Sequence, residues 1–162
     1  MKKIYLFSCL LFLSIFLLLM EALPLHAEGS FGLTDGQIIY VPVYSHIYTG
    51  NREKPFLLAV TLSIRNIDPK HQISITVVDY YETQGRLLKK YLDKPATLNP
   101  LESIRYIISE RDTTGGSGAN FIVEWKSDKF VNPPIVESIM IGTQSSQGIS
   151  FTSRGRALII SK

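Results

Sequence analysis

The alternation of apolar and polar side chains between Phe56 and Asn66 is the strongest constraint on how this chain folds. Phe56, Leu58, Val60, Leu62 and Ile64 alternate with Leu57, Ala59, Thr61, Ser63 and Arg65. A helix repeats its faces about every 3.6 residues and cannot use a period of two; a strand with one buried face can. The same period returns over Gln72–Tyr81, where Ile73, Ile75 and Val77 read as inward and Ser74 and Thr76 as outward. It returns again in Ile104, Tyr106 and Ile108, and in Phe121, Val123 and Trp125 against Asn120, Glu124 and Lys126.

Turn chemistry separates these runs. Asn66 to His71 contains Asp68-Pro69, and Glu82-Thr83-Gln84-Gly85 reads as a hairpin loop in which Gly85 takes positive φ. Arg86 to Leu92 then returns as the partner strand, and Lys89 and Lys90 mark it as a sheet edge, where charge discourages aggregation. Asp93 to Pro100 carries two prolines and suits a crossing between sheets. Pro133-Pro134 opens a strand to about Gly142, Ala157 to Ile160 forms the last, and Ile38 to Tyr48 the first. Seven or eight strands without a helical period predict an all-β, antiparallel β-sandwich, with a small β-barrel as the alternative.

Ahead of the strands, Lys2 and Lys3 precede an apolar run from Ile4 to Met20 that Glu21 and Pro24 terminate. Residues 1–27 therefore read as an export signal, residues 28–37 as a linker and residues 38–162 as a single domain. An uncleaved membrane anchor over residues 4–20 is the alternative, because the run approaches the length of a spanning helix and Leu25 is bulky for a cleavage site after Ala27. The expected location is periplasmic or secreted, with a membrane tether only if the segment is retained. Cys9 is the single cysteine, and Leu6-Phe7-Ser8-Cys9 lies too close to Lys3 for a working lipobox. A chain with one cysteine makes no internal disulfide, so packing alone must hold the domain.

Charge narrows the partners. Lys and Arg number 17 against 14 Asp and Glu, and no segment concentrates the excess. A nucleic-acid-binding surface would gather it into a patch, so nucleic acid is not an expected partner.

Thr61-Leu62-Ser63-Ile64-Arg65-Asn66, Val78-Asp79-Tyr80-Tyr81 and the run Gly115-Gly116-Ser117-Gly118-Ala119-Asn120-Phe121-Ile122-Val123-Glu124-Trp125 resemble a family of short exported bacterial proteins, the domain of unknown function 3124. Asn132-Pro133-Pro134-Ile135-Val136-Glu137 and Gly148-Ile149-Ser150-Phe151-Thr152-Ser153-Arg154-Gly155-Arg156 extend the resemblance over about residues 38 to 158. The strand order also resembles immunoglobulin-like adhesion modules. The resemblance implies an immunoglobulin-like sandwich outside the cytoplasm and carries no catalytic residues. It includes lipoproteins, from which this chain departs by its lack of a lipobox.

Three groups of residues invite a functional reading. Asp112-Thr113-Thr114-Gly115-Gly116-Ser117-Gly118 concentrates glycines and hydroxyls that can turn backbone N–H groups toward an anion, although no Lys-Ser/Thr ending or helix follows it. With Asn120, this loop is the first place to seek a ligand; the competing role is a turn needing positive φ. Arg154 and Arg156, after the polar stretch from Thr143 to Gly148, form a potential fork for a carboxylate or phosphate. Tyr44, His46 and Tyr48 share one strand face with Tyr40 and make an aromatic ledge that stacks a ligand or packs on the facing sheet.

His46 and His71 have no neighbours in the spacing of a zinc site or a catalytic triad. The pairs Asp79 with Glu82 and Glu110 with Asp112 lack the spacing of a calcium loop. No metal and no cofactor is expected. Trp125 reads as a core anchor whose indole N–H needs one partner. The leading expectation is a non-enzymatic module that binds a protein or an envelope component through Asp112, Gly115, Gly116, Ser117, Asn120, Arg154 and Arg156. A structural module pairing through the edge Arg86 to Leu92 is the alternative, followed by a hydrolase or metal-dependent enzyme.

Overall fold

Period-two patterning produces strands throughout the computed structural model, which describes residues 32–48, 53–143 and 148–159. The strands are β1 (Thr34–Pro42), β2 (His46–Tyr48), β3 (Pro55–Leu57), β4 (Ala59–Arg65), β5 (Ile73–Tyr81) and β6 (Leu87–Lys90). They continue as β7 (Ala96–Leu98), β8 (Ser103–Ile108), β9 (Asn120–Val131), β10 (Ile135–Gly142), β11 (Ile149–Arg154) and β12 (Arg156–Ala157). The surplus over the expected number consists of the short pieces β2, β3, β7 and β12, each of two or three residues.

One sheet has the order β12-β1-β9-β5-β6, with β7 also on β5; the other has the order β11-β10-β4-β8; β2 and β3 form a separate ribbon. All the pairings are antiparallel. The two sheets stack without closing into a ring, so the architecture is the sandwich and not the barrel. Ile39, Val41, Ile75, Val78, Phe121, Val123 and Trp125 of the first sheet and Val60, Leu62, Ile64, Val136 and Met140 of the second form one buried core. Each such side chain contributes about 1.5–3 kcal/mol on burial, the term that offsets chain entropy where no disulfide can help.

The expected strand faces hold in β4 and β8 and fail in part of β5. Ile73 and Ile75 are buried, but Val77 is only half-buried while Val78 and Tyr80 are inside. The register slips between Ile75 and Val77, so Thr76 is an extra residue and the phase of the strand reverses beyond it. Local alternation cannot reveal this, because the bulge is defined only against Trp125 and Glu124 of the partner strand.

Other boundaries also move. β1 starts at Thr34, within the residues expected as linker, and the first strand breaks after Pro42. The Asp93–Pro100 connection contains β7, which pairs with β5, so the crossing to the second sheet falls at Asn99–Glu102. β11 is a strand the sequence reading did not assign, and its last two residues, Ser153 and Arg154, had read as part of a polar loop. The last strand is Arg156–Ala157, and Ile160 lies outside the described residues. Between β11 and β12 the chain changes sheets at Gly155, whose N–H donates to the Val136 carbonyl at 2.8 Å. A Cβ at Gly155 would meet Ile39 Cγ2 at 2.6 Å, so the crossing requires glycine.

These pairings define two ends of the sandwich. The turn Asn66–His71, the turn Asn99–Glu102, the β9–β10 connection and the start of β1 share one end, which we call the Asn66 end. The Gly85 hairpin, the loop Asp112–Gly118 and the β2–β3 ribbon share the other.

Candidate functional site

A cleft of about 370 Å³ opens beside the Asn66 end, between the β12–β1 edge of the first sheet and β10 of the second. Pro133, Pro134, Ile135 and Val136 form much of its apolar wall, and Arg65, Glu137 and Arg154 stand on its polar side. The sequence builds it through Pro133-Pro134, which cannot donate to a ladder and hold the chain off the sheet before β10 begins. Volume and composition place it within the range of natural ligand clefts.

Its electrostatics are asymmetric. Glu137 lies in register with Ser63 on one side and Arg154 on the other, on the outer face of the second sheet. Arg65 approaches Glu137 at 3.6 Å and donates through Nε to Ser63 Oγ at 3.1 Å. Arg154 is exposed and has no ion pair or hydrogen bond with its side chain among the described residues. A cation is therefore left unmatched on the rim of an apolar cleft.

The rim is held by a polar cluster. Asn66 and Asp68 are buried. Asn66 Nδ2 donates to the carbonyls of His71 at 2.8 Å, Asn99 at 2.9 Å and Leu98 at 3.3 Å, and its Oδ1 accepts the Asp68 N–H at 3.0 Å. Asp68 Oδ1 accepts the N–H groups of Lys70 and His71, each at 2.9 Å, with His71 Nδ1 3.1 Å away. Its Oδ2 accepts both N–H donors of Asn132 at 3.1 Å. Donation from the backbone of Lys70 and of Asn132 holds the Asp68 carboxyl well below the usual aspartate range, against the opposing effect of burial. The buried carboxylate thus stays charged and fixes Asn132 at the entrance to Pro133.

The glycine-rich loop lies at the opposite end, and several of its polar groups are bonded within the fold. Thr114 N–H goes to Asp112 Oδ1, Gly116 N–H to the Thr113 carbonyl and Gly118 N–H to Thr83 Oγ1. The Gly115 carbonyl accepts both the N–H and the hydroxyl of Thr83, and the Gly116 carbonyl accepts the Ser45 N–H. Gly115 is buried against the Tyr80 hydroxyl, and Gly116 has φ +79°. The three N–H groups named are spent within the fold, so the loop acts as a brace between two hairpins. Ser117 lies in its single 3₁₀ turn, and Asn120 opens β9 opposite Pro42 and Tyr81. Burial, then the charge of Asp112, pushes the Tyr80 phenol up, while the Ser45 hydroxyl 3.0 Å away pulls it down.

The structure does not bring Arg154 and Arg156 together. Arg154 is in register with Glu137 on the second sheet and Arg156 with Tyr40 on the first, so they stand on outer faces that point apart. The switch of sheets at Gly155 separates them, and no fork forms. The aromatic ledge also divides. Tyr44 packs on Phe151 with ring centroids 5.9 Å apart, whereas His46 and Tyr48 meet edge to face at 5.3 Å on the β2–β3 ribbon. Trp125 is wholly buried, as expected of a core anchor, but its indole N–H has no partner among the described residues.

Asn66, Asp68, Asn132 and Thr83 were missed from sequence, where Asp68-Pro69 signalled only a turn. The available signal was an Asn or Asp placed beside proline at both Asp68-Pro69 and Asn132-Pro133, residues suited to capping backbone N–H groups.

Residues 36–158 match the family described as protein of unknown function (DUF3124). The chain belongs to this family. The cleft and the Asp68 cluster lie within the span that DUF3124 covers, as do all the strands apart from Thr34 and Asp35 at the start of β1. No curated protein matches the chain. Among solved structures it is similar to a crystal structure of Thermotoga maritima 1070, at 11% identity and a TM-score of 0.46, over 76% of this chain and 96% of that one.

Proposed function

We propose that this member of the DUF3124 family is an exported, non-catalytic, immunoglobulin-like binding module that holds a segment of another envelope protein in the cleft beside Arg154. The observation that carries this reading is the unmatched Arg154 guanidinium on the rim of an apolar cleft. A partner segment with an apolar side chain for the Pro133–Val136 wall and a carboxylate for Arg154 would satisfy both features. The pinned Asn132 supports it further, because a rim fixed in advance loses little entropy on binding. The non-catalytic part rests on His46 and His71 lying at opposite ends of the sandwich, with His71 Nδ1 3.1 Å from an Asp68 carboxylate that is already engaged in holding the turn. The glycine-rich loop supports the rigid scaffold instead of contacting the ligand.

The test is a photo-crosslinking residue placed at Ile135 in the full chain, in cells, with capture of the crosslinked protein. Arg154→Glu is expected to abolish that capture and Arg156→Glu to leave it intact. An unchanged partner set in a folded Arg154→Glu protein would overturn the proposal.

A further inference from the structure

We infer that the Asn66 end of the sandwich rests on a lipid bilayer, with Leu101 and Phe130 inserted into it. This goes beyond the cleft reading and stands or falls separately from it.

Large apolar side chains gather at this end. Leu101 is 68% exposed, Phe130 67%, Leu33 59% and Ile67 40%. They sit on separate segments that hydrogen bonds lock together: Asn66 N–H donates to the Glu102 carbonyl at 2.9 Å, and Asp68 holds Asn132 beside Val131. The apolar groups are therefore presented by a rigid surface.

Two of them are placed outward by unusual backbone. Leu101 has φ +61° in the turn Asn99–Glu102, a conformation glycine or asparagine adopts with less strain. A leucine that is both strained and exposed gains nothing from packing within the domain, which points to a contact outside it. Phe130 ends a bulge in which Ser127, Asp128, Lys129 and Phe130 are opposed by Asp35 alone, between the pairs Thr34 with Val131 and Gly36 with Lys126. The extra residues are carried out of the ladder.

The form of the surface selects a bilayer over a protein. Leu33, Ile67, Leu101 and Phe130 stand on four separate segments, and of the four Ile67 alone also lines the cleft. A fluid interface accepts separate points of insertion. Lys70 and Lys129 are exposed at the same end, and long side chains of this kind lie along an interface with the charge in the headgroups. Asp35, Asp128 and Glu102, exposed at the same end, more than offset them, so insertion relies on apolar contact. The sequence also joins its apolar run Ile4–Met20 to the domain at this end, where Leu33 leads into β1.

The test uses the full chain with vesicles of phosphatidylcholine and phosphatidylglycerol that carry bromine on the acyl chains. Leu101→Trp, Phe130→Trp and, at the opposite end, Tyr48→Trp are compared against the constant background of buried Trp125. Quenching is expected at positions 101 and 130, several-fold stronger than at position 48, and adding Leu101→Asp to Phe130→Trp should remove it while circular dichroism is unchanged. Equal quenching at both ends, which attachment through the N-terminal run alone would give, overturns the inference. So does absence of quenching, including the case where this end crosslinks to a protein.

Discussion

Asp68 and Asn132, 64 residues apart in sequence, are joined through one carboxylate oxygen that accepts the backbone and the side-chain N–H of Asn132, each at 3.1 Å. This pair ties the end of β4 to the start of β10, two strands that are also neighbours in the second sheet. It converts a turn into a fixed corner of the cleft.

Replacement of Asp68 is therefore expected to destabilise the fold and to change its response to acid. The folded carboxyl is held below its unfolded value of about 3.9, so its contribution is complete above that value and is lost as pH falls through the folded one. Thermal melts from neutral pH to pH 3 should show the wild type losing stability in the acid limb. Asp68→Asn should melt lower at neutral pH, by roughly 5–10 °C, and show a flatter acid limb. Equal acid slopes in the two proteins would refute the assignment.

The glycine-rich loop should behave as a structural brace. A Cβ at Gly115 would collide with the Tyr80 hydroxyl and lie 2.8 Å from Ser45 Oγ. Gly115→Ala is expected to cost about 1–3 kcal/mol by overpacking. Gly116→Ala places a side chain at φ +79° and should cost about 1 kcal/mol or more. Ser117→Ala should stay within about 0.5 kcal/mol. Urea unfolding of the three variants measures the order; a neutral Gly115→Ala would show that the loop does not pack on Tyr80.

Trp125 combines full burial with an N–H that has no partner among the described residues. Trp125→Phe removes that unmet donor together with part of the ring, so the loss of packing is partly offset, whereas Trp125→Ala leaves a large void and should cost about 3–5 kcal/mol. Denaturant unfolding should give a clearly smaller loss for Phe than for Ala. The native fluorescence maximum should be strongly blue-shifted, since this is the single tryptophan of the chain.

Leu101→Gly should relieve backbone strain at φ +61° without loss of internal packing. A gain of about 0.5–1 kcal/mol is expected, the relief being partly cancelled by the greater freedom of glycine in the unfolded chain. A loss of stability in urea unfolding would mean that Leu101 contributes packing within the domain.

Sequence patterning was sufficient where the information is local. Alternation in Phe56–Ile64 and Phe121–Trp125 identifies inward faces because neighbouring residues on a strand must point to opposite sides. Gly85 in its hairpin follows from turn chemistry, and its φ is +84°. Lys89 and Lys90 correctly mark β6 as an edge. The conspicuous glycine loop was visible too, but its role depended on Thr83, Ser45 and Tyr80, which no local pattern connects to it.

The sequence by itself thus determined an all-β, antiparallel architecture, most of its core side chains and the family to which it belongs, and left the choice between sandwich and barrel to the tertiary structure. The tertiary structure alone decided the bulge at Thr76, the separation of Arg154 from Arg156, and the cleft rim set by Asn66, Asp68 and Asn132. The physical reason is the same in each case. Strand faces follow from covalent geometry along the chain, whereas bulges, sheet changes and buried hydrogen bonds exist only between segments that folding brings into register.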